Sequence, residues 1–226
     1  MERATRRALI QTGDVASGSA RNKRKQRRFA RIKAAARELF REQGYERTTL
    51  RQIAKKAKVS AATIVNYFGE KRELLELLFN EEHRLVSEQA ALELSEAKAF
   101  LDQSIDGFRH YYRYFGANPD YARAILVAST FYDPAVPDPS PAGQSVARSI
   151  ARIKRTVEIA RKRGEITLDE SDDALALLIF EVYHNQCRYW LAASKPDVER
   201  GLAQLRCALS IIQRGFMPSR ARKRQA

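Results

Sequence analysis

Cysteine is almost absent. The two, Cys187 and Cys207, lie twenty positions apart and supply no C-x-x-C pair, four-ligand zinc site or disulfide framework, so they read as reduced, buried thiols. The three histidines are scattered, and the chain has no P-loop, no G-x-G-x-x-G after a strand pattern, no G-x-S-x-G and no H-E-x-x-H. His184 and Cys187 share a helical spacing, but two groups without further ligands build neither a metal site nor a nucleophile. A non-enzymatic chain without cofactor or metal is therefore expected. Long apolar runs are lacking too: the longest, residues 174–180, falls far short of the ~20 residues that span a bilayer. Leu9 and Ile10 run straight into Gln, Thr, Gly and Asp, which is no secretory signal. The expected location is cytoplasmic, with no membrane partner.

What is abundant is positive charge, and it is unevenly placed. Residues 1–72 hold 20 Lys/Arg against 6 Asp/Glu, whereas residues 73–226 hold 21 of each. The whole net charge of +14 thus sits in the first third. Such asymmetry implies an anionic polymer as partner of one part and something else as partner of the other. Nucleic acid leads, ahead of an anionic membrane surface.

Apolar residues recur at three- and four-residue steps almost throughout, and no strand pattern is present, so the chain is expected to be all-α. Residues 1–24 read as a flexible basic arm, with the cationic run continuing to Arg28; a solvated arm and an ordered minor-groove contact both fit it. A first helix is expected from Phe29 to Gly44. A short second helix follows Thr49, where Gln52 completes a capping box, and a third follows Ser60 and ends at Gly69. A fourth is expected over about 71–85, then further helices over 86–98, 101–117, 121–131, 146–163, 172–193 and 196–215. Four prolines within 133–143 imply an irregular loop, and 218–226 a basic tail.

A helix, a tight turn and a second helix is the arrangement that places the second helix in the major groove of DNA. Here Ile53, Ala54, Val59 and Ile64 are expected to pack the pair together, leaving outside side chains able to read bases or bond phosphate. The run from Thr49 through Leu-Arg-Gln-Ile-Ala-Lys-Lys-Ala-Lys-Val to Ser60, then Ala-Ala-Thr-Ile-Val-Asn-Tyr-Phe-Gly-Glu-Lys71, resembles the TetR family of bacterial transcription regulators. The resemblance covers about residues 29–78, with a family-like Tyr189-Trp190-Leu191 far downstream. It implies a homodimeric, all-helical repressor: a three-helix helix-turn-helix DNA-binding domain (25–72) followed by a larger helical ligand-binding and dimerisation domain (73–217). It also implies that Thr49, Arg51, Lys58, Ser60, Ala62, Thr63, Asn66, Tyr67 and Lys71 meet double-stranded DNA, Lys71 at a phosphate. Two positions depart from the family pattern. Val65 replaces a usual Tyr and either touches a base methyl or packs. Lys58 replaces a usual Gly, at a cost of roughly 1 kcal/mol if its backbone is left-handed, which a phosphate contact could offset.

The neutral remainder is rich in aromatics, and cavities between helices are lined mainly by such side chains. Phe108, Tyr112, Phe131, Tyr183, His184 and Trp190 are the candidates to touch an apolar or aromatic-compatible small-molecule effector, although any one aromatic at helical spacing more often belongs to the core. Leu175, Leu178, Val182, Leu202, Leu205 and Leu209 form the stripes expected to pack two long helices on each other and on a symmetry mate. The competing function is a nonspecific nucleic-acid-binding protein that uses only the basic arm.

Overall fold

The computed structural model describes residues 20–128 and 138–216; part of the basic arm, Phe131 and the C-terminal tail fall outside them. Among the described residues there are nine helices and no strand: α1 (Ala20–Gln43), α2 (Leu50–Ala57), α3 (Ala61–Phe68), α4 (Lys71–Leu92), α5 (Phe100–Ala117), α6 (Pro119–Ala128), α7 (Pro141–Lys162), α8 (Asp172–Leu191) and α9 (Val198–Phe216). No helix among them is long and apolar enough to cross a membrane.

Helices α1 to α3 close around Ile32, Ala36, Phe40, Ile53, Ile64 and Phe68, all buried, and the start of α4 completes this core with Leu74 and Leu78. α1 begins at Ala20, well before Phe29, so residues 20–24 of the expected arm are helical. Lys, Arg and Gln are good helix formers, and no Gly or Pro interrupts the run. Phe29, stacked on Phe68 at 4.7 Å, anchors that stretch to the domain.

α4 likewise runs unbroken where two helices were expected. The apolar stripe changes phase near Leu85, which is exposed, but no residue of 71–92 breaks the backbone. One rigid element therefore leaves the first domain with Leu74 and Leu78 and enters the second with Phe79 and His83.

In the second domain α7 lies between α4 and α8, while α9 packs on α5 and α8. Pro141 opens α7 at its first position, where a missing N–H costs no hydrogen bond, and Ser140 caps it by accepting from the Gly143 N–H at 3.1 Å. The proline-rich segment thus ends at 140 rather than 143. Gly201 is required by close packing: a Cβ there would stand 2.6 Å from Tyr112 and 2.7 Å from Trp190. Cys187 is buried, but Cys207 is exposed, contrary to expectation.

The dimer stripes need a larger correction. Leu175, Leu202, Leu205 and Leu209 are at most 3% exposed within one chain, because their faces of α8 and α9 hold the helices of the same protomer together. Of the six candidates only Leu178, 44% exposed, and Val182, half-buried, reach the outer face, where Tyr189 and Ile211 also stand exposed.

Candidate nucleic-acid interface and internal cavity

The α2–turn–α3 unit is built by its caps. Thr49 and Gln52 form the reciprocal capping box, with Thr49 Oγ1 accepting from Gln52 N at 3.2 Å and Gln52 Oε1 accepting from Thr49 N at 2.8 Å. Ser60 Oγ accepts from Thr63 N at 3.1 Å and starts α3. Between them Lys58 takes φ 52° and ψ 50°, the left-handed conformation that ends α2 and turns the chain; its N–H reaches Ala54 and Lys55 carbonyls. A lysine therefore holds the place that favours glycine, at the backbone cost foreseen.

With Ile53, Ala54, Ile64 and Phe68 facing inward, the opposite face of the unit carries Arg51, Lys55, Lys58, Ser60, Ala62, Val65 and Asn66, all exposed. Thr63 and Tyr67 are half-buried beside them. Thr63 Oγ1 lies 2.8 Å from Ser60 Oγ, and the Tyr67 ring meets Phe29 edge-on at 6.2 Å. Val65 is half exposed, so packing does not explain it.

Lys71, expected at a phosphate, makes contacts within the chain. Its ammonium donates to the Tyr45 carbonyl at 2.9 Å and to that of Glu46 at 3.4 Å, and lies 4.1 Å from the centre of the Tyr45 ring. It thereby ties the α1–α2 turn to the start of α4.

Charged groups join this domain to the next. Lys33 and Arg37 of α1 pair with Glu81 of α4 at 2.5 Å each, and Arg37 Nε also reaches Glu82 at 3.0 Å. The second oxygen of Glu82 accepts from the Tyr114 hydroxyl of α5 at 2.7 Å. Burial, with the charges of Tyr121 and Glu82 adding to it, raises the Tyr114 pKa well above the ordinary phenol value, so the hydroxyl remains a donor. Three helices from the two domains thus meet at one carboxylate.

Inside the second domain a small cavity of about 40 Å³ lies between α4, α5, α6, α7 and α8. Phe79, Phe115, Ile125, Leu126, Val146 and Phe180 make its walls apolar; Glu76, His83, Ser145, Ser149, Tyr183 and His184 add polar groups. Of the sequence candidates, Tyr183 and His184 line it. Phe108, Tyr112 and Trp190 do not: Tyr112 and Trp190 meet as a tilted pair at 4.6 Å under α9, and Phe108 stacks on Tyr183 at 4.4 Å. The candidate Phe131 lies outside the described residues.

Sequence reasoning missed His83, Ser145 and Ser149. His83 lies on the helix read only as an exit from the DNA-binding domain, and the serines on one read for its apolar face. Burial, reinforced by the nearby cations Arg148 and Arg152, lowers the His83 pKa to about 3, so the imidazole is neutral near pH 7. Burial and then Arg188 lower that of His184 as well.

The described residues thus form a helix-turn-helix unit with an exposed second helix, followed by a helical body with a cavity. Residues 32–78 match the family model described as bacterial regulatory proteins, tetR family. The HTH-type transcriptional regulator HbdR of Aromatoleum sp. (strain CIB) is 54% identical over 44 residues, 20% of this chain and 19% of that protein. An uncharacterised HTH-type transcriptional regulator of Mycobacterium tuberculosis (strain ATCC 25618 / H37Rv) is 40% identical over 68 residues, 30% and 32% of the two chains. The matches thus span about a fifth to a third of these curated relatives' lengths. The crystal structure of Thermus thermophilus FadR, a TetR-family transcriptional repressor in complex with lauroyl-CoA, superposes with a TM-score of 0.64 at 23% identity, over 84% of this chain and 95% of that one. Residues 32–78 are thus similar to the DNA-binding part of the tetR family of bacterial regulatory proteins, and over most of its length the chain shares the fold of a solved TetR-family repressor.

Proposed function

We propose that the chain is a cytoplasmic, sequence-specific DNA-binding repressor that reads a palindromic operator as a homodimer and is released by a small molecule, with an apolar or aromatic-compatible body, bound in the α4–α8 cavity. The observation that carries this reading is the outward face of α3: Ala62, Val65 and Asn66 stand exposed on a helix whose Ile64 and Phe68 are sealed inside. Asn can pair with adenine through two hydrogen bonds, and Ala and Val can meet a thymine methyl; Arg51 and Lys58 flank them as phosphate or guanine partners. Thr49, Ser60, Thr63 and Tyr67 lie on the same side and complete the proposed surface.

One such helix reads few base pairs, so two copies about 34 Å apart are needed for a palindrome read over successive helical turns. The outer faces of α8 and α9, with Leu178, Val182, Tyr189 and Ile211, are the proposed pairing surface. In the proposed switch a ligand displaces α4, and the Glu81 and Glu82 pairs carry that displacement to α1. The ligand must bind the DNA-incompetent state more tightly, since equal affinity for both states shifts nothing. Action through the basic N-terminal segment alone is less favoured, because it leaves the exposed face of α3 without a use.

Selection of bound sequences from a random duplex pool, followed by titration across salt concentrations, tests the proposal. A palindromic site bound about a thousandfold or more above random DNA is expected. Equal affinity for all duplexes, lost together as salt rises, would overturn it.

A further inference from the structure

Two arginines of α7, neither of them on the cavity wall, lie near enough to the wall residue His83 to act on it electrostatically. Arg152 is 7% exposed, and among the described residues its side chain makes neither an ion pair nor a hydrogen bond; its Nε is buried without an acceptor. Its guanidinium lies 4.8 Å from the Phe108 ring centre and 5.3 Å from that of Tyr111. Ring faces attract a guanidinium but satisfy few of its five N–H groups. The fold makes room for this cation: Gly107 sits in the middle of α5 where a Cβ would come within 2.5 Å of Arg152 Nη1. Arg148, one turn earlier, donates to Asn80 Oδ1, and its Nε is likewise buried without an acceptor. Between the two, Ser149 Oγ meets His83 Nε2 at 3.1 Å, which leaves His83 Nδ1 unpartnered.

Buried charges are ordinarily paired with an opposite charge. Here cationic and neutral donors lie close together; Glu88 acts on Arg148 at a distance, and among the described residues no carboxylate pairs with either arginine. The one carboxylate on the cavity wall, Glu76, lies two turns away along α4, roughly 10 Å, beside Arg72 at 3.7 Å. The His83 end of the cavity thus lies near two cations, Glu76 lines the other end, and phenylalanines are among the walls.

Resting on the reading of this cavity as the effector site, we infer that it is built for a monocarboxylate with an apolar body. The carboxylate is held among His83, Ser149 and the guanidiniums of Arg148 and Arg152. The hydrocarbon or aromatic part lies against Phe79, Phe115 and Phe180.

Calorimetric titration of the full chain with octanoate and 4-phenylbutyrate, beside octanamide and 4-phenylbutyramide, reads the charge preference directly. The acids are expected to bind at least about tenfold more tightly than the amides. The ratio should fall to within about twofold in Arg152→Met and in Arg148→Met, with amide binding retained. If a variant fails to fold, as circular dichroism reveals, the ratio on the unaltered chain still decides. Equal binding of acid and amide, binding of neither, or an acid preference that survives both substitutions overturns the inference. A gel-shift assay on the selected operator separates it from the repressor reading. Release of DNA by amides as readily as by acids leaves the repressor and removes the carboxylate receptor. Tight acid binding by a chain that selects no duplex does the reverse.

Discussion

The two halves of the molecule treat their polar groups in opposite ways. In the α1–α3 unit the one buried polar side chain among the described residues, Thr48, is fully engaged: its hydroxyl donates to the Gly44 carbonyl at 2.7 Å and lies 3.1 Å from Gln43 Nε2. The remaining polar side chains of that unit reach the surface, wholly or in part, where DNA can meet them. The second domain buries His83, Gln103, Ser145, Ser149, Arg152 and Thr156, and leaves His83 Nδ1 and Arg152 Nε without partners. A core selected for stability alone would hold apolar groups there, since an unsatisfied buried donor costs about 1–3 kcal/mol. The first domain thus carries its working groups on a surface held by a small, satisfied core. The second carries them within, at the expense of stability.

The sharpest way to break this contrast is to remove the small core. Phe40 is fully buried between α1 and its neighbours, and Phe40→Ala is expected to cost about 3–5 kcal/mol. Urea denaturation followed by circular dichroism should show early loss of the first domain, with DNA binding lost in parallel. An unchanged midpoint would mean that the front core is not what holds the reading surface.

Next in size is Asn66→Ala, which should relax specificity at one or two base positions by roughly 1–3 kcal/mol while random duplexes bind as before. A uniform loss across all sequences would move Asn66 from base reading to backbone contact.

The buried histidine gives a pH test of the second domain. His83 has its pKa lowered to about 3 in the folded chain, whereas an unfolded chain takes up the proton near pH 6.5. Below that pH the unfolded state therefore binds more protons, and stability falls with falling pH. At pH 5 the loss from this group is about 2 kcal/mol, and above about pH 7 it vanishes. His83→Gln should lack this component, so the stability difference between variant and parent should shift by that amount between pH 7 and pH 5. An identical pH dependence in both would show that His83 takes up its proton while folded.

The smallest effect is expected at Lys58. Lys58→Gly relieves a left-handed backbone at φ 52° and should raise stability by up to about 1 kcal/mol. If the lysine also meets a phosphate, the salt dependence of DNA binding should become shallower at the same time. Greater stability with no change in salt dependence would leave Lys58 without a role on DNA.

The two domains also differed in how far they could be read from sequence. In the first, capping at Thr49 and Ser60, the inward set Ile53, Ala54 and Ile64, and the left-handed turn at Lys58 were all legible, because each depends on residues within a few positions of one another. The contacts of Lys71 within the chain were not legible because its acceptors, the Tyr45 and Glu46 carbonyls, lie some 25 residues earlier and come near only when α4 folds back on the first turn. In the second domain helical spacing located the elements, while the phase change near Leu85 concealed that α4 is continuous. The cavity was half found. Tyr183 and His184 face it, but Phe108, Tyr112 and Trp190 show the same spacing and face other helices.

By itself the sequence determined an all-helical chain, a cationic front third, and a helix-turn-helix with a polar outer face, because charge, capping and periodicity are properties of neighbours along the chain. Which leucines would close the protomer and which would remain outside was decided only when α8 and α9 met α5 and each other, since each helix carries apolar residues on more than one side. The convergence of His83, Ser149, Arg148 and Arg152 was likewise decided in three dimensions. α4 and α7 are separated by some fifty residues of sequence, and only their packing makes one site of groups that are unremarked on either helix alone.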